Sequence, residues 1–260
     1  MKVLLTFAVE PEFAPLRKLR QFEEFRIGDV SVYQARIGRA TVDVVVTGMG
    51  PANAQRAAEA AMSVPHTICI CSGFCGALKS EHHVGDILAA RAVQQMGKNK
   101  TIECSQGLVT NAWGDGAKHA QHFLSSEKIV ATAEEKARLA PFADAVDMES
   151  FAILSVAHER KLSAVAIRVV SDRFDQDVPV DFSATVDEKG RVRIVGVLQK
   201  VVFHPINIPA LIRLGRESKT AAEGLANFLE AYIKKISLST HGWPQGNLSE
   251  VASRRAAPAK

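Results

Sequence analysis

The sequence predicts an α/β fold in three layers, with helices flanking a mixed, largely parallel sheet. Continuous apolar runs, such as residues 2–9 and 66–78, have the composition of strands that are buried on both faces. Segments with a helical pattern alternate with these runs, and the connections are short. Three predicted strands end in polar or glycine-rich loops at residues 47–50, 72–76 and 169–175. Ligands of such sheets bind beyond the carboxyl ends of the strands, so these loops predict the position of a site.

The first elements follow directly from residue pattern. The strand at 2–9 leads into a helix whose first turn contains Pro11, a favoured position for proline. Residues 31–38 and 41–50 predict a hairpin and a buried strand. The alanine-rich segment 50–62, opened by a glycine turn, predicts a helix.

The remaining elements rest on the same two signals, apolar runs for strands and a 3.6-residue apolar period for helices. They are strands at 84–95 and, more weakly, 107–112, a strand tip and helix at 128–142, a short extended segment at 143–149, a helix at 150–162, a β-branched strand at 163–172 and an amphipathic helix at 220–236. Residues 1–236 are therefore expected to form one domain, interrupted by an insertion at about 176–219. The polar, basic segment 237–260 is expected to be a disordered tail.

Composition excludes several classes of function. The 260 residues are 47% hydrophobic and 23% charged, which suits one sizeable α/β domain. The net charge is +4, but Arg254, Arg255 and Lys260 lie in the tail and aromatic content is only 6%, so no nucleic-acid interface is expected. No secretory signal and no run of the roughly 18 apolar residues of a membrane span is visible, which predicts a cytoplasmic protein.

Motifs for metals and cofactors are weak. The three cysteines within residues 69–75 lack the spacing of a zinc site. His119 and His122 have no third ligand in view and are interpreted as residues of a solvated helix face. Residues 47–54 contain a G-x-G, but no acidic residue ends the following strand as a dinucleotide site requires. Neither a metal nor a cofactor is expected.

Three acidic residues, Glu12, Glu149 and Asp172, stand at strand ends or helix starts, where a side chain is rigidly mounted. Each alone is explained by a helix dipole or a turn. Together with their neighbours they resemble the nucleoside phosphorylase / nucleosidase superfamily, which includes the methylthioadenosine/S-adenosylhomocysteine nucleosidases. The resemblance covers about residues 1–175 and the C-terminal helix, through the segments 8–13, 47–54, 72–78, 84–87, 146–150 and 168–172.

The resemblance implies cleavage of the N-glycosidic bond of an adenine nucleoside. Met148 is expected to pack on the ribose, and Glu149 to accept hydrogen bonds from its two hydroxyls, since a carboxylate is purely an acceptor. Asp172 is expected to protonate the leaving purine, with burial keeping a proton on it near neutral pH and Ser171 orienting it. Backbone groups of Ile129 and Val130 are expected to bind adenine.

The nucleophile is either water or phosphate. Glu12 stands where nucleosidases carry the base that activates water, with Arg168 beside it. Cys71 and Phe74 stand where purine phosphorylases carry an arginine and a serine, which removes a bidentate phosphate ligand. Hydrolysis is favoured, although nucleosidases also place a serine at Phe74, which is instead expected to line or narrow the site. Phosphate as co-substrate stays the alternative.

The insertion bears on the substrate. The arrangement of DVPVDF, GRVRI and INIPALIRLGRES at residues 177–182, 190–194 and 206–218 resembles the hopanoid-associated members of the superfamily and implies adenosylhopane, a lipid-linked nucleoside, as substrate. Within the insertion, the apolar stretch 191–216 carries several Arg and Lys residues. For such a substrate, this stretch is expected to cover the apolar part of the molecule or to contact the inner face of the membrane peripherally. The alternative is that the stretch packs on its own domain or on a dimer partner. The family implies a homodimer. A methylthioadenosine/S-adenosylhomocysteine nucleosidase and an inactive nucleoside sensor remain alternatives.

Overall fold

A computed structural model describes residues 1–178 and 208–238. Of residues 208–214 only the backbone is described, and side chains are described from residue 215 onward. It confirms the predicted α/β fold with a mixed sheet flanked by helices. The strands are β1 (Lys2–Phe7), β2 (Glu23–Ile27), β3 (Val30–Ile37), β4 (Ala40–Val46), β5 (Ile68–Ala77), β6 (Ile87–Gln95), β7 (Thr101–Glu103), β8 (Lys118–Ser125), β9 (Ala145–Asp147) and β10 (Ser163–Asp172). The helices are α1 (Glu10–Leu19), α2 (Pro51–Ala61), α3 (Gln106–Gly114), α4 (Ala133–Leu139), α5 (Ser150–Glu159) and α6 (Ile208–Ile236).

All ten strands in these residues belong to one sheet, ordered β10-β6-β8-β9-β5-β1-β4-β3-β2, with β7 on β6. An additional pairing of β10 with β5 closes the first five strands into a ring. Strands β4, β1, β5 and β10 are mutually parallel, each paired with the next. Their carboxyl ends therefore meet at one edge of the sheet, and this edge carries the site described below.

Apolar faces of the helices cover the sheet. Helix α5 buries Ile153, Leu154 and Val156, and the side chains of these residues belong to the main core cluster. Helix α6 packs on α1 and β10 and contributes Leu229 and Tyr232 to the same core, and the Tyr232 hydroxyl donates to the Leu108 carbonyl at 2.8 Å. Both helices thus bury apolar side chains in the main core.

Three sequence-based predictions of elements are wrong. The strand tip expected at the start of residues 128–142 is not formed, since none of the described residues between β8 and α4 lies in a strand. Residues 107–112 lie in helix α3, which begins after Ser105 and ends at Gly114, and not in the weak strand that was expected there. His119 and His122 lie on strand β8 and not on a helix face. In β8, Lys118, His119, Gln121 and His122 are exposed while Ala120 and the last three residues, 123–125, are buried, and this mixed pattern concealed the strand. The short strands β2 and β7 were not predicted.

Two boundaries also differ. Strand β5 continues through residues 72–76, which were expected to form a loop, so these residues are held in the sheet by pairing with β10. Helix α6 begins at Ile208, twelve residues before the predicted start, and takes in the end of the proposed insertion. The rest of that insertion, residues 179–207, and the predicted tail from residue 239 lie outside the described residues.

Candidate active site

Glu12 is a buried carboxylate in the first turn of α1. Its Oε2 atom accepts hydrogen bonds from the backbone N–H groups of Ala8 at 2.7 Å and Val9 at 3.0 Å. Its Oε1 atom accepts one from the N–H of Phe74 at 2.7 Å. Burial raises the pKa of Glu12, and Arg168 opposes this in part. The residue therefore joins β1, α1 and β5 at the carboxyl edge of the sheet.

Arg168 lies fully buried at the centre of the site, on β10. Its Nη2 atom is 2.8 Å from Asp147 Oδ2, and both Nε and Nη2 donate to the Ser150 hydroxyl, at 3.2 and 3.0 Å. Nη1 donates to the Phe74 carbonyl at 3.4 Å. Burial works against the charge, but the carboxylate of Asp147 and then other nearby anions outweigh it and raise the pKa of Arg168.

Glu149 caps the start of α5 and is 5% exposed. Its Oε1 atom accepts a hydrogen bond from the N–H of Gly50 at 2.8 Å, and its Oε2 atom is 3.7 Å from Arg168 Nη2. Gly50 begins helix α2, whose positive dipole end therefore faces this carboxylate. Burial raises the pKa of Glu149 to about 7, with Arg168 acting in the opposite direction and Asp147 in the same one.

The buried charges do not balance. One guanidinium, that of Arg168, faces three carboxyl groups that are each at most 5% exposed, those of Glu12, Asp147 and Glu149. Asp147 was not predicted to be functional, although it lies two residues before Glu149 in the quoted segment 146–150. An excess of buried negative charge destabilises the folded protein, and it favours a ligand that develops positive charge.

Asp172 ends strand β10, next to β5. Its Oδ1 atom accepts a hydrogen bond from the Ser171 hydroxyl at 2.7 Å. Its Oδ2 atom is 2.5 Å from the Lys136 ammonium, which the sequence analysis missed. Burial alone was expected to keep a proton on Asp172, and this expectation did not include a cation in direct contact with it.

Two of the three predicted acids lie against strand β5. A β-carbon at Gly73 would lie 2.7 Å from Glu12 Oε1 and 2.7 Å from Arg168 Nη1, and one at Gly76 would lie 2.9 Å from Asp172 Oδ2. Glu12 thus lies beside Gly73, and Asp172 lies beside Gly76, three residues further along the same strand. Glu149 is linked to Glu12 through Arg168, which faces both carboxyl groups.

The other predicted site residues are half-buried. Phe74 lies on β5 against the main core, where its backbone N–H contacts Glu12. Met148 lies between β9 and α5. Ile129 and Val130 follow β8, and Val130 packs on a small separate cluster of Leu78, Leu124, Ala143 and Val146. The described contacts do not join Met148, Ile129 or Val130 to the three acids, so their roles stay predictions.

Substitution of Gly73 tests the close packing of Glu12 and Arg168 against β5. Its φ of 135° disfavours other residues, and an added β-carbon would collide with both Glu12 and Arg168. We expect Gly73→Ala to lower the free energy of unfolding by about 2 kcal/mol or more, measured by chemical denaturation. Gly114→Ala is the matched control, because nothing lies within 4 Å of that position. Equal stability of the two variants would contradict the described packing.

Comparison with known proteins places the chain in a family. A family model described as the phosphorylase superfamily matches residues 2–141 and 121–202. The chain belongs to the phosphorylase superfamily. No curated protein gives a significant match to this superfamily member.

Solved structures share the fold of this phosphorylase-superfamily chain. The 5'-methylthioadenosine/S-adenosylhomocysteine nucleosidase from Neisseria meningitidis, in complex with methylthio-immucillin-A, matches with a TM-score of 0.69 and 19% identity over 90% of this chain and 99% of that one. The Campylobacter jejuni nucleosidase gives 0.70 and 16% over 90% and 99%, and the futalosine hydrolase of Helicobacter pylori gives 0.70 and 18% over 90% and 98%.

Two further findings apply to residues 1–178 and 208–238 of this phosphorylase-superfamily chain. Their His, Cys, Asp and Glu side chains form no group of three or more that could hold a metal ion. None of their helices is long and apolar enough to span a bilayer.

Proposed function

We propose that the chain hydrolyses the N-glycosidic bond of an adenine nucleoside and releases adenine. The observation that supports this most strongly is the pair of buried carboxyls of Glu12 and Glu149 beside Arg168, with the Asp172 carboxyl against β5 three residues beyond Gly73. Hydrolysis of such a bond passes through a ribosyl cation, and preorganised anions stabilise a developing positive charge. The structural neighbours are nucleosidases and a futalosine hydrolase, which is consistent with this chemistry.

Glu149 is the proposed ribose ligand. A carboxylate offers about four acceptor positions, of which Gly50 N–H uses one, so the others can take the protons of two vicinal hydroxyls. Burial raises its pKa to about 7, so the acceptor form is fully populated only above neutral pH. Arg168 and the start of α2 hold the side chain in place from two sides. Met148, next to Glu149 in the chain, is the proposed packing surface for the sugar.

Glu12 is the proposed base. Three backbone N–H groups occupy three of its acceptor positions, which leaves one on Oε1 for a water molecule. Its raised pKa makes it a better proton acceptor than an exposed glutamate. The water oxygen forms a bond to the anomeric carbon, its proton passes to Glu12, and the glycosidic electron pair leaves with the purine. Asp172 gives a proton to that purine.

The contacts that the Arg168 guanidinium already makes favour water over phosphate as the nucleophile. Its Nε and Nη2 atoms already contact Asp147, Ser150 and the Cys71 sulfur, and Nη1 donates to a carbonyl. A phosphate needs two parallel N–H donors for a bidentate contact, and the guanidinium has at most one left. The buried Glu12 carboxylate beside it also disfavours a phosphate dianion.

Product analysis tests this choice. We expect the wild-type protein to release adenine and free ribose from adenosine or methylthioadenosine at the same rate with and without phosphate. Glu12→Gln is expected to lower kcat by about 10²-fold or more, because it removes the base. Glu10→Gln, an exposed residue in the same helical turn, is the control and keeps full activity. Strict dependence on phosphate, with ribose 1-phosphate as product, would overturn the hydrolase proposal.

For the natural substrate we propose adenosylhopane. The support is the resemblance of the segment 176–216 to hopanoid-associated members of the superfamily, and most of this segment lies outside the described residues. A homodimer and a peripheral membrane contact through residues 191–216 belong to the same proposal. A ratio of kcat/KM that favours adenosylhopane over methylthioadenosine by about tenfold or more supports it, and the opposite preference indicates a methylthioadenosine/S-adenosylhomocysteine nucleosidase.

A further inference from the structure

Lys136 is a fully buried lysine in the short helix α4. Its Nζ atom lies 2.5 Å from Asp172 Oδ2, 2.7 Å from the carbonyl oxygen of Arg173 and 3.0 Å from that of Gln176. An ammonium has three N–H donors, and here each has an acceptor. Lysine is almost never fully buried unless it is paired. Lys136 therefore supplies a buried positive charge opposite the carboxylate of Asp172 at the end of β10.

The neighbours of Lys136 on α4 behave differently. Glu134 and Arg138 pair with each other on the exposed face of the helix. Thr132 and Glu135 cap the helix start through reciprocal hydrogen bonds. Only Lys136 of the helix is buried, so α4 directs one cation inward to the proposed acid.

Both oxygens of the Asp172 carboxyl are held by side chains. Ser171 donates to Oδ1 at 2.7 Å and Lys136 to Oδ2 at 2.5 Å, and the missing side chain of Gly76 leaves room for Oδ2. These contacts fix the plane of the carboxyl group relative to β5. A group that must reach one atom of a leaving base gains from such fixation, since a displacement of about 1 Å costs up to about 10²-fold in rate.

We propose that Lys136 is a positioning residue that holds the Asp172 carboxyl group in the orientation from which it reaches the leaving purine. This rests on the proposed function, in which the Asp172 proton passes to the purine as the glycosidic electron pair leaves with it. Lys136 keeps its own three protons throughout, because all three are bound to acceptors.

Lys136→Met, which keeps length and removes charge, is the test in adenine-release assays. We expect kcat to fall by about 10-fold to 10²-fold with KM changed less than about threefold. Lys136→Arg keeps the charge and the N–H donors and should restore kcat. Lys79→Met removes a cation from another buried carboxylate, that of Asp144 at 2.7 Å, and should leave kcat unchanged.

A merely structural role of Lys136 predicts that kcat and KM change together or that Lys136→Arg fails to restore kcat, and either result overturns the proposal. A second readout does not depend on activity. In protein labelled with ¹³C at aspartate carboxyls, the Asp172 resonance is assigned by its loss in Asp172→Asn, and this resonance should be displaced in Lys136→Met but not in Lys79→Met. If wild type releases no adenine, the proposed function fails, and this resonance alone decides: a displaced signal supports the role of Lys136 and an unmoved signal overturns it.

Discussion

Asp172→Asn is expected to lower the rate of adenine release by about 10²-fold to 10⁴-fold, the usual contribution of a general acid. Asparagine keeps the shape of the side chain and an oxygen acceptor for Ser171, but it has no acidic proton for the purine. The measurement is kcat on adenosine or methylthioadenosine. Asp175→Asn, three residues further along and exposed, is the matched control and should retain full activity.

The same substitution leaves the Lys136 ammonium buried without its counter-charge. Breaking one partner of a buried ion pair costs about 3–5 kcal/mol, so we expect a large loss of stability as well. The double variant Lys136→Met/Asp172→Asn removes both charges and should recover most of that stability while staying inactive. If recovery of stability also restores activity, Asp172 is not the acid. Adenosine binding by wild type without release of adenine from any substrate would instead favour the nucleoside sensor.

Glu149→Gln is expected to stabilise the protein at alkaline pH. Burial raises the pKa of Glu149 from its ordinary value of 4.5 to about 7, so folding favours the protonated form. That contribution is fully present below pH 4.5 and is lost as pH rises through about 7. A difference of about 2.5 in pKa corresponds to a loss of about 3 kcal/mol in the free energy of unfolding once Glu149 is ionised. A neutral glutamine avoids this loss at pH 8. Chemical denaturation at pH 4.5 and pH 8 measures the difference.

We expect the two proteins to be about equally stable at pH 4.5 and the variant to be more stable at pH 8. Glutamine keeps an oxygen that can accept the Gly50 N–H hydrogen bond, so the start of α2 stays in contact. Glu159→Gln, at the exposed end of α5, should change stability little at either pH. A gain in stability with a large rise in KM would show that Glu149 is strained for ligand binding. Loss of stability at pH 8 would contradict this account.

The sequence was most informative where a pattern has one physical meaning. The apolar runs of β1 and β5 and the core face of α5 could be predicted, because these elements are buried on all the sides that their pattern indicated. Strand β8 could not, since its first half is exposed and polar. Helix α3 was mistaken for a strand because short apolar segments fit both periods.

The candidate site was likewise only partly predictable from the sequence. Glu12, Glu149 and Arg168 were found through resemblance, and the structure adds how they share charge. Asp147 carried a signal in its position beside Glu149, but nothing in the sequence showed that it contacts Arg168. Lys136 was hidden for a physical reason: a lysine in a short amphipathic helix is normally solvated, and only tertiary packing turns it inward.

The position of β10 in the ring has a consequence for biosynthesis. This strand, residues 163–172, lies between β5 and β6 but is the last strand of the described sheet to leave the ribosome. Until then the earlier strands have unpaired edges, which invite self-association, and pairings this distant in sequence form slowly. Because β10 also carries Arg168 and Asp172, nascent chains halted before residue 163 should be both aggregation-prone and unable to assemble any reaction centre.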